Sequence, residues 1–328
     1  MHSVNTIISL SELYRPIEEP LADVREAVGQ LWLDALQLVQ VDAISKPKVE
    51  GKLLRPAMCL LSAGATGCEN LQRFVPMAMA YEALHIASLT HDDVVDHASL
   101  RRGASSLNAL WSNHAAVLGG DYLMARAIET LADYGSCEVV SRAVSSIRRM
   151  AEGELLFFGR GPDDIEEKDC LELAQLKTAS LFAEACNAPA CVDAPELSSV
   201  LHQFGIAFGI AFQIVDDLLD LTQPSKQLGK PACGDVVEAK VTIPILFMRQ
   251  AMHVDDKARM DSYREAILTE DDREWIMSMA QQTGAVARAE QVAKTFTDKA
   301  MRLLEQIPQS AYRSSLEGIV DFVIVRTC

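Results

Sequence analysis

Apolar positions along the chain recur at steps of three and four residues. Within 22–42, Val24, Val28, Leu31, Ala35 and Leu38 fall on one face of a helix, and similar spacing returns through most of the sequence. Runs of alternating β-branched residues are almost absent, so the pattern predicts an all-α fold. Gly, Pro, Asn and polar residues cluster at 46–51, 64–67, 159–164, 187–195, 222–234 and 306–309, which read as helix connectors. None has the length of an interdomain linker, so residues 1–328 are expected to form a single all-α domain. The segment 204–215 (FGIAFGIAFQIV) is unusually apolar and carries small residues at Gly205 and Gly209 and at Ala207 and Ala211. This predicts a buried helix with two tracks of close contact rather than a membrane span, because the run is short and leads straight into Asp216 and Asp217.

Composition narrows the picture. With 328 residues and 49% hydrophobic content, the chain can bury a core without disulfides or structural metal. Thirty Lys and Arg against 46 Asp and Glu give a net charge of −16, which argues against nucleic acid as a partner and against anionic membranes. Eight cysteines are scattered at 59, 68, 137, 170, 186, 191, 233 and 328 with no C-x-x-C pair, the usage expected of reduced thiols in a cytoplasmic protein. No basic segment followed by an apolar run marks the N-terminus, and no apolar stretch approaches bilayer length, so a soluble protein that does not span a membrane is expected.

Two acidic triplets change the reading from fold to chemistry. Asp92, Asp93 and Asp96 (DDVVD) are echoed by Asp216, Asp217 and Asp220 (DDLLD), each following an apolar helical stretch. Carboxylates at i and i+4 share a helix face, and such like-charge pairs cost roughly 0.2–0.5 kcal/mol, so stability does not account for them. A lone acidic cluster is usually a solvated helix end. Here the apolar flanks put the carboxylates around a cavity mouth, where oxygen-only ligands suit magnesium, which keeps several waters and shares its remaining positions with a diphosphate. Cations that could meet such a diphosphate follow or precede the triplets: Lys52, Arg55, Arg101, Arg102, Lys177, Lys230 and Lys240.

In order and spacing, GKLLRP, HIASLTHDDVVDHASLRRG, LKTASLF, FQIVDDLLD and LGKPACGDVVEAKVTIP resemble the successive motifs of the trans-polyprenyl diphosphate synthases, and DFVIVR resembles the ending of their long-chain (octaprenyl- and solanesyl-type) members. The resemblance implies one large bundle of antiparallel helices around a central cavity, and a homodimeric prenyltransferase that uses several Mg²⁺ ions per active site to join isopentenyl diphosphate to an allylic diphosphate such as farnesyl diphosphate. It implies Asp92, Asp96 and Asp216 as main metal ligands, with Asp93, Asp217 and Asp220 supporting them. Lys52, Arg55, His85 and Arg102 would hold isopentenyl diphosphate; Arg101, Lys177, Lys230 and Lys240 would hold the allylic diphosphate, with Thr178 and Gln213 near the developing cation. A His on an apolar stretch is more often a hydrogen-bonded core residue, and only the resemblance assigns His85 to substrate. Departures from the family pattern are Glu50 and Leu53 around GKLLRP, Phe157 where relatives have Gln, and Ser105 in place of Pro.

The growing tail would run beside the helix that ends in Asp92, past Ser88, Ala87, Leu84 and Tyr81. Short-chain members of the family block this path with aromatics just before the motif, so with small residues at Ala87 and Ser88 the resemblance implies a product longer than fifteen carbons, with thirty to fifty expected and twenty, a geranylgeranyl diphosphate synthase, as the alternative. Leu84 or Tyr81 would form the floor together with Met124 or Ile128 of a helix expected to begin at Asp121. Two other readings remain: a class I terpene cyclase, which carries one DDxxD, and a non-catalytic subunit of a heteromeric synthase.

Overall fold

The computed structural model describes residues 9–38, 51–96, 100–101, 104–105, 109, 112–157, 159–224 and 231–325. The first apolar stripe forms α1 (Glu18–Leu38), which starts earlier than its spacing suggests because Glu18 and Glu19 supply the acidic first turn that a helix N-terminus favours. Val24, Val28, Leu31 and Ala35 are buried along it, whereas the Leu38 side chain and residues 39–42 lie outside the described residues. There follow α2 (Leu54–Ala65), α3 (Val75–Val95), α4 (Asn113–Ala132), α5 (Cys137–Leu156) and α6 (Glu167–Leu173). A π-helical segment, Ala174–Ala179, then runs without a break into α7 (Ser180–Asp193), and after it come α8 (Pro195–Thr222), α9 (Ile243–Ala251), α10 (Glu270–Gln282), α11 (Ala285–Leu304) and α12 (Ala311–Val325). Short helices occupy Leu10–Leu13, Gly234–Val237 and Val254–Asp261. The only β-structure among the described residues is an antiparallel pairing of Leu100–Arg101 with Ala104–Ser105.

The apolar helix predicted over 204–215 lies at the centre as part of α8, packed along α7, α11 and the π-helical segment. A Cβ on Gly205 would come within 2.4 Å of the Ala183 Cα, and one on Gly209 within 2.4 Å of the Ala179 Cα, so backbone meets backbone along this track. Ala207 and Ala211 are fully buried, and Phe208 stacks with Phe212 while meeting Phe182 edge-on. Nearly all the buried apolar residues form one contiguous cluster.

Three expected boundaries move. The break predicted at 187–195 shrinks to Ala194, because α7 continues to Asp193 with Pro189 inside it. Asn187, at the start of that predicted break, faces inward: its Oδ1 accepts from Ser198 Oγ at 2.6 Å, and its Nδ2 donates to Glu184 Oε2 at 3.2 Å. At 64–67, Gly64 belongs to α2, where a Cβ would sit 2.5 Å from the Tyr312 ring, and the chain turns only at Thr66 and Gly67. The helix expected to begin at Asp121 begins at Asn113, capped by Ser112 Oγ, which accepts from the Ala115 amide.

Candidate active site

Both acidic triplets lie at helix C-termini. Asp92 and Asp93 are in the last turn of α3 with Asp96 as its C-cap, and Asp216, Asp217 and Asp220 occupy the final turns of α8. The negative end of each helix dipole therefore adds to the repulsion among the carboxylates, and neither helix has a basic residue in its last turn. The compensating charges come from elsewhere in the fold.

Lys177, carried by the π-helical segment, lies 4.0 Å from Asp92 Oδ2 and is ion-paired with Glu154 of α5. Lys240 donates to Asp96 Oδ2 at 3.3 Å and pairs with Glu238 at 2.6 Å. Burial works against the charge on Lys240, but Glu238 and Asp96 outweigh it and its ammonium titrates above the usual lysine range. Burial pushes the Asp92 carboxyl above the usual range, with Lys177 opposing. The same cause acts more strongly on Asp217, where Asp235 adds to the effect and the hydrogen bond from Gln213 opposes it.

The second triplet divides by depth. Asp216 is exposed, whereas Asp217 and Asp220 are 7% and 1% exposed. The i,i+4 pairing predicted for Asp216 and Asp220 therefore does not put both at the mouth: the Asp220 carboxylate accepts from the Asp235 amide at 3.1 Å, while its own carbonyl accepts from the Cys233 amide. Cys233 adopts a left-handed conformation (φ 61°) to make that turn, so its contribution lies in the backbone. Gln213 links the triplet to the π-helical segment: Thr178 Oγ1 donates to Gln213 Oε1 at 2.5 Å, and Gln213 Nε2 donates to Asp217 Oδ1 at 2.7 Å.

At the start of α2, Leu53 is left-handed (φ 48°), a conformation a branched side chain adopts at a cost of about 1–2 kcal/mol. It is flanked by Lys52, whose Nζ lies 5.5 Å from the Phe322 ring, and its carbonyl starts the helix carrying Arg55, whose guanidinium sits 4.3 Å from the Phe182 ring. His85 is half-buried, and its carbonyl accepts from Ser88 Oγ. Arg102 and Lys230 fall outside the described residues, as does the side chain of Arg101. His91 bridges α3 to α4, with Nε2 3.1 Å from the Val117 carbonyl and its ring against Gly120.

Of the positions expected along the tail, Ala87, Leu84 and Tyr81 are fully buried and Ser88, Met124 and Ile128 are half-buried. Glu154, Glu238 and Asp235 are the polar residues that sequence reasoning passed over. Glu238 and Asp235 stand within five residues of Lys240, a local signal; Glu154 meets Lys177 only through tertiary packing.

Among the described residues no three His, Cys, Asp or Glu side chains converge into a closed metal cage. All six triplet donors are oxygens on two helix ends, a set that fits a hard cation completing its shell with water and substrate phosphate.

Residues 41–280 match the family model described as polyprenyl synthetase. The chain is 34% identical to the all-trans-nonaprenyl-diphosphate synthase (geranyl-diphosphate specific) of Rhodobacter capsulatus, over 96% of this chain and 97% of that one. It is 31% identical to the octaprenyl diphosphate synthase of Escherichia coli, over 97% and 99%. Its structure resembles that of a polyprenyl synthase from Caulobacter crescentus complexed with calcium and isoprenyl diphosphate, with a TM-score of 0.86, 32% identity and coverage of 99% and 100%.

Proposed function

Because the chain belongs to the polyprenyl synthetase family and is a prenyltransferase, we propose that it joins isopentenyl diphosphate to an allylic diphosphate and releases a polyprenyl diphosphate longer than fifteen carbons. The observation that carries this reading is the pairing of a lysine with two of the three aspartates of the first triplet, Lys177 with Asp92 and Lys240 with Asp96, at the ends of buried helices.

Asp92, Asp96 and Asp216 are proposed to hold magnesium, with Asp93, Asp217 and Asp220 behind them; the calcium in the Caulobacter relative supports a divalent cation in this fold. When bound, magnesium supplies positive charge to the leaving diphosphate. Lys177 and Lys240, with Arg101 and Lys230, hold the allylic diphosphate as its C–O bond ionises. A unit-charge pair at about 4 Å contributes about 4 kcal/mol at an effective dielectric of about 20, so several such contacts lower the barrier substantially. Thr178 and Gln213 present oxygen dipoles to the allylic cation. Lys52, Arg55, His85 and Arg102 orient isopentenyl diphosphate so that its double bond attacks that cation, and a proton then leaves to the departing pyrophosphate. The buried face of Ala87, Leu84 and Tyr81 guides the tail. We further propose one domain over 1–328 and a cytoplasmic homodimer; no described helix is long and apolar enough to cross a membrane, and Val117 and Leu118 of α4 are exposed apolar residues available to a second copy.

The test is incubation of the purified protein with magnesium, labelled isopentenyl diphosphate and either geranyl or farnesyl diphosphate. Products beyond fifteen carbons are expected from the protein alone. Arrest at fifteen carbons from geranyl diphosphate, a requirement for an added subunit, or cyclic hydrocarbon from the allylic substrate alone would each overturn it.

A further inference from the structure

The two site lysines share an arrangement. Each ammonium lies between an aspartate of the first triplet and a glutamate outside it, and in both cases the glutamate is the closer partner: Glu154 against Asp92 for Lys177, and Glu238 at 2.6 Å against Asp96 at 3.3 Å for Lys240. The aspartates are thus only loosely tied to the lysines, while the glutamates hold them.

The backbone around each glutamate is shaped to make that contact. Glu154 follows Gly153, where a Cβ would lie 3.2 Å from Leu176 Cβ and 3.4 Å from the Lys177 amide nitrogen, so α5 and the π-helical segment approach as closely as this glycine allows. Glu238 and Lys240 flank Ala239, which is left-handed (φ 53°), and the Lys240 amide donates back to the Asp235 carbonyl at 2.8 Å. That turn folds Lys240 onto Glu238. Neither arrangement serves the core, since Glu154 and Glu238 keep 46% and 42% of their side-chain surface exposed.

We propose that Glu154 and Glu238 are positioning residues: they keep Lys177 and Lys240 aimed at the diphosphate site after Asp92 and Asp96 turn to other partners. The inference rests on the reading of Lys177 and Lys240 as diphosphate-binding residues given above. It makes an unusual demand. A glutamate near a diphosphate repels it, so Glu154→Gln and Glu238→Gln should bind inorganic pyrophosphate as tightly as the parent or more tightly. Yet a lysine no longer held in place is misaimed at the reacting centre, where displacement of about 1 Å can cost on the order of 10²-fold in rate.

Calorimetric titration with inorganic pyrophosphate, with and without magnesium, and steady-state kinetics with the allylic substrate varied separate the possibilities. The expected result for both glutamine variants is a pyrophosphate Kd equal to or below the parent value, an unchanged melting temperature and a kcat reduced about tenfold or more. Unchanged kcat would overturn the proposal, as would kcat, Kd and melting temperature all deteriorating together, which marks a structural role. Lys177→Ala and Lys240→Ala test the underlying reading by themselves: if both bind pyrophosphate and turn over like the parent, that reading fails whatever the glutamates do. In the double variant Glu154→Gln/Lys177→Ala, the glutamine should add no further loss of kcat to that of the alanine; additive losses would also overturn the proposal.

Discussion

Gly209→Ala offers a direct test of how the core of α8 sets the chemistry. The added methyl carbon would come 2.4 Å from Ala179 Cα and 2.7 Å from Ala179 Cβ. Non-bonded carbons rest at about 3.5–4.0 Å, so α8 and the π-helical segment must part by roughly 1 Å or more. Overpacking of this kind costs about 1–3 kcal/mol. Ala179 adjoins Thr178 and lies two residues from Lys177, so the same displacement reaches the site, where about 1 Å is worth on the order of 10²-fold in kcat. Gly205→Ala is the matched control: its Cβ would lie 2.4 Å from Ala183 Cα and 2.7 Å from the Phe182 carbonyl, an equal clash more than a helical turn away. Thermal unfolding followed by circular dichroism should report similar losses for the two variants, and condensation assays should show a much larger loss of kcat for Gly209→Ala. Parent-like stability and activity in Gly209→Ala would refute the close approach of the helices; equal losses of kcat at matched stability would refute its link to Lys177.

Further outcomes are expected. Asp92→Ala and Asp216→Ala should each cut turnover strongly and leave the helical circular dichroism signal nearly intact; retained turnover in either would remove its triplet from the metal site. Burial holds the Asp92 and Asp217 carboxyls above their usual range, so the folded protein binds more protons than the unfolded chain above pH about 4, and this part of stability falls as pH rises through the raised values. Magnesium should then release protons on binding, seen as a buffer-dependent calorimetric enthalpy, and its stabilisation of the fold, read as melting temperature, should grow as pH rises. Ala87 is fully buried five residues, about 7.5 Å along the helix, before Asp92, so Ala87→Phe should shorten the product; an unchanged product distribution on chromatography would show that the tail does not pass this face.

The fold was largely legible because it rests on periodicity. Val24, Val28, Leu31 and Ala35 are buried as their spacing required, and the glycines of α8 make the close contacts their size allowed. Boundaries failed where polar residues serve the interior: Asn187 looks like the start of a connector in sequence but bonds with Ser198 and Glu184 within the core. Site chemistry was legible where the motif is local, as in the two triplets. It was hidden where partners meet only through packing, as with Glu154 and Lys177, or where depth separates residues that helical phase puts together, as with Asp216 and Asp220. The left-handed turns at Leu53, Cys233 and Ala239 also left no signal, because none is a glycine.

The π-helical segment deserves to be read as a shift of phase. Each residue of an α-helix turns about 100°, and a π turn absorbs roughly one residue more than an α turn over the same path. Removing one residue from Ala174–Ala179 could restore regular α-helix from Glu167 to Asp193 while swinging Lys177 and Thr178 around the axis relative to Ala183 and Phe182. The orientation of Lys177 toward Asp92 is therefore a property of chain count as much as of residue type, and a relative that kept every charged residue but lost this insertion would have the same inventory facing a different way.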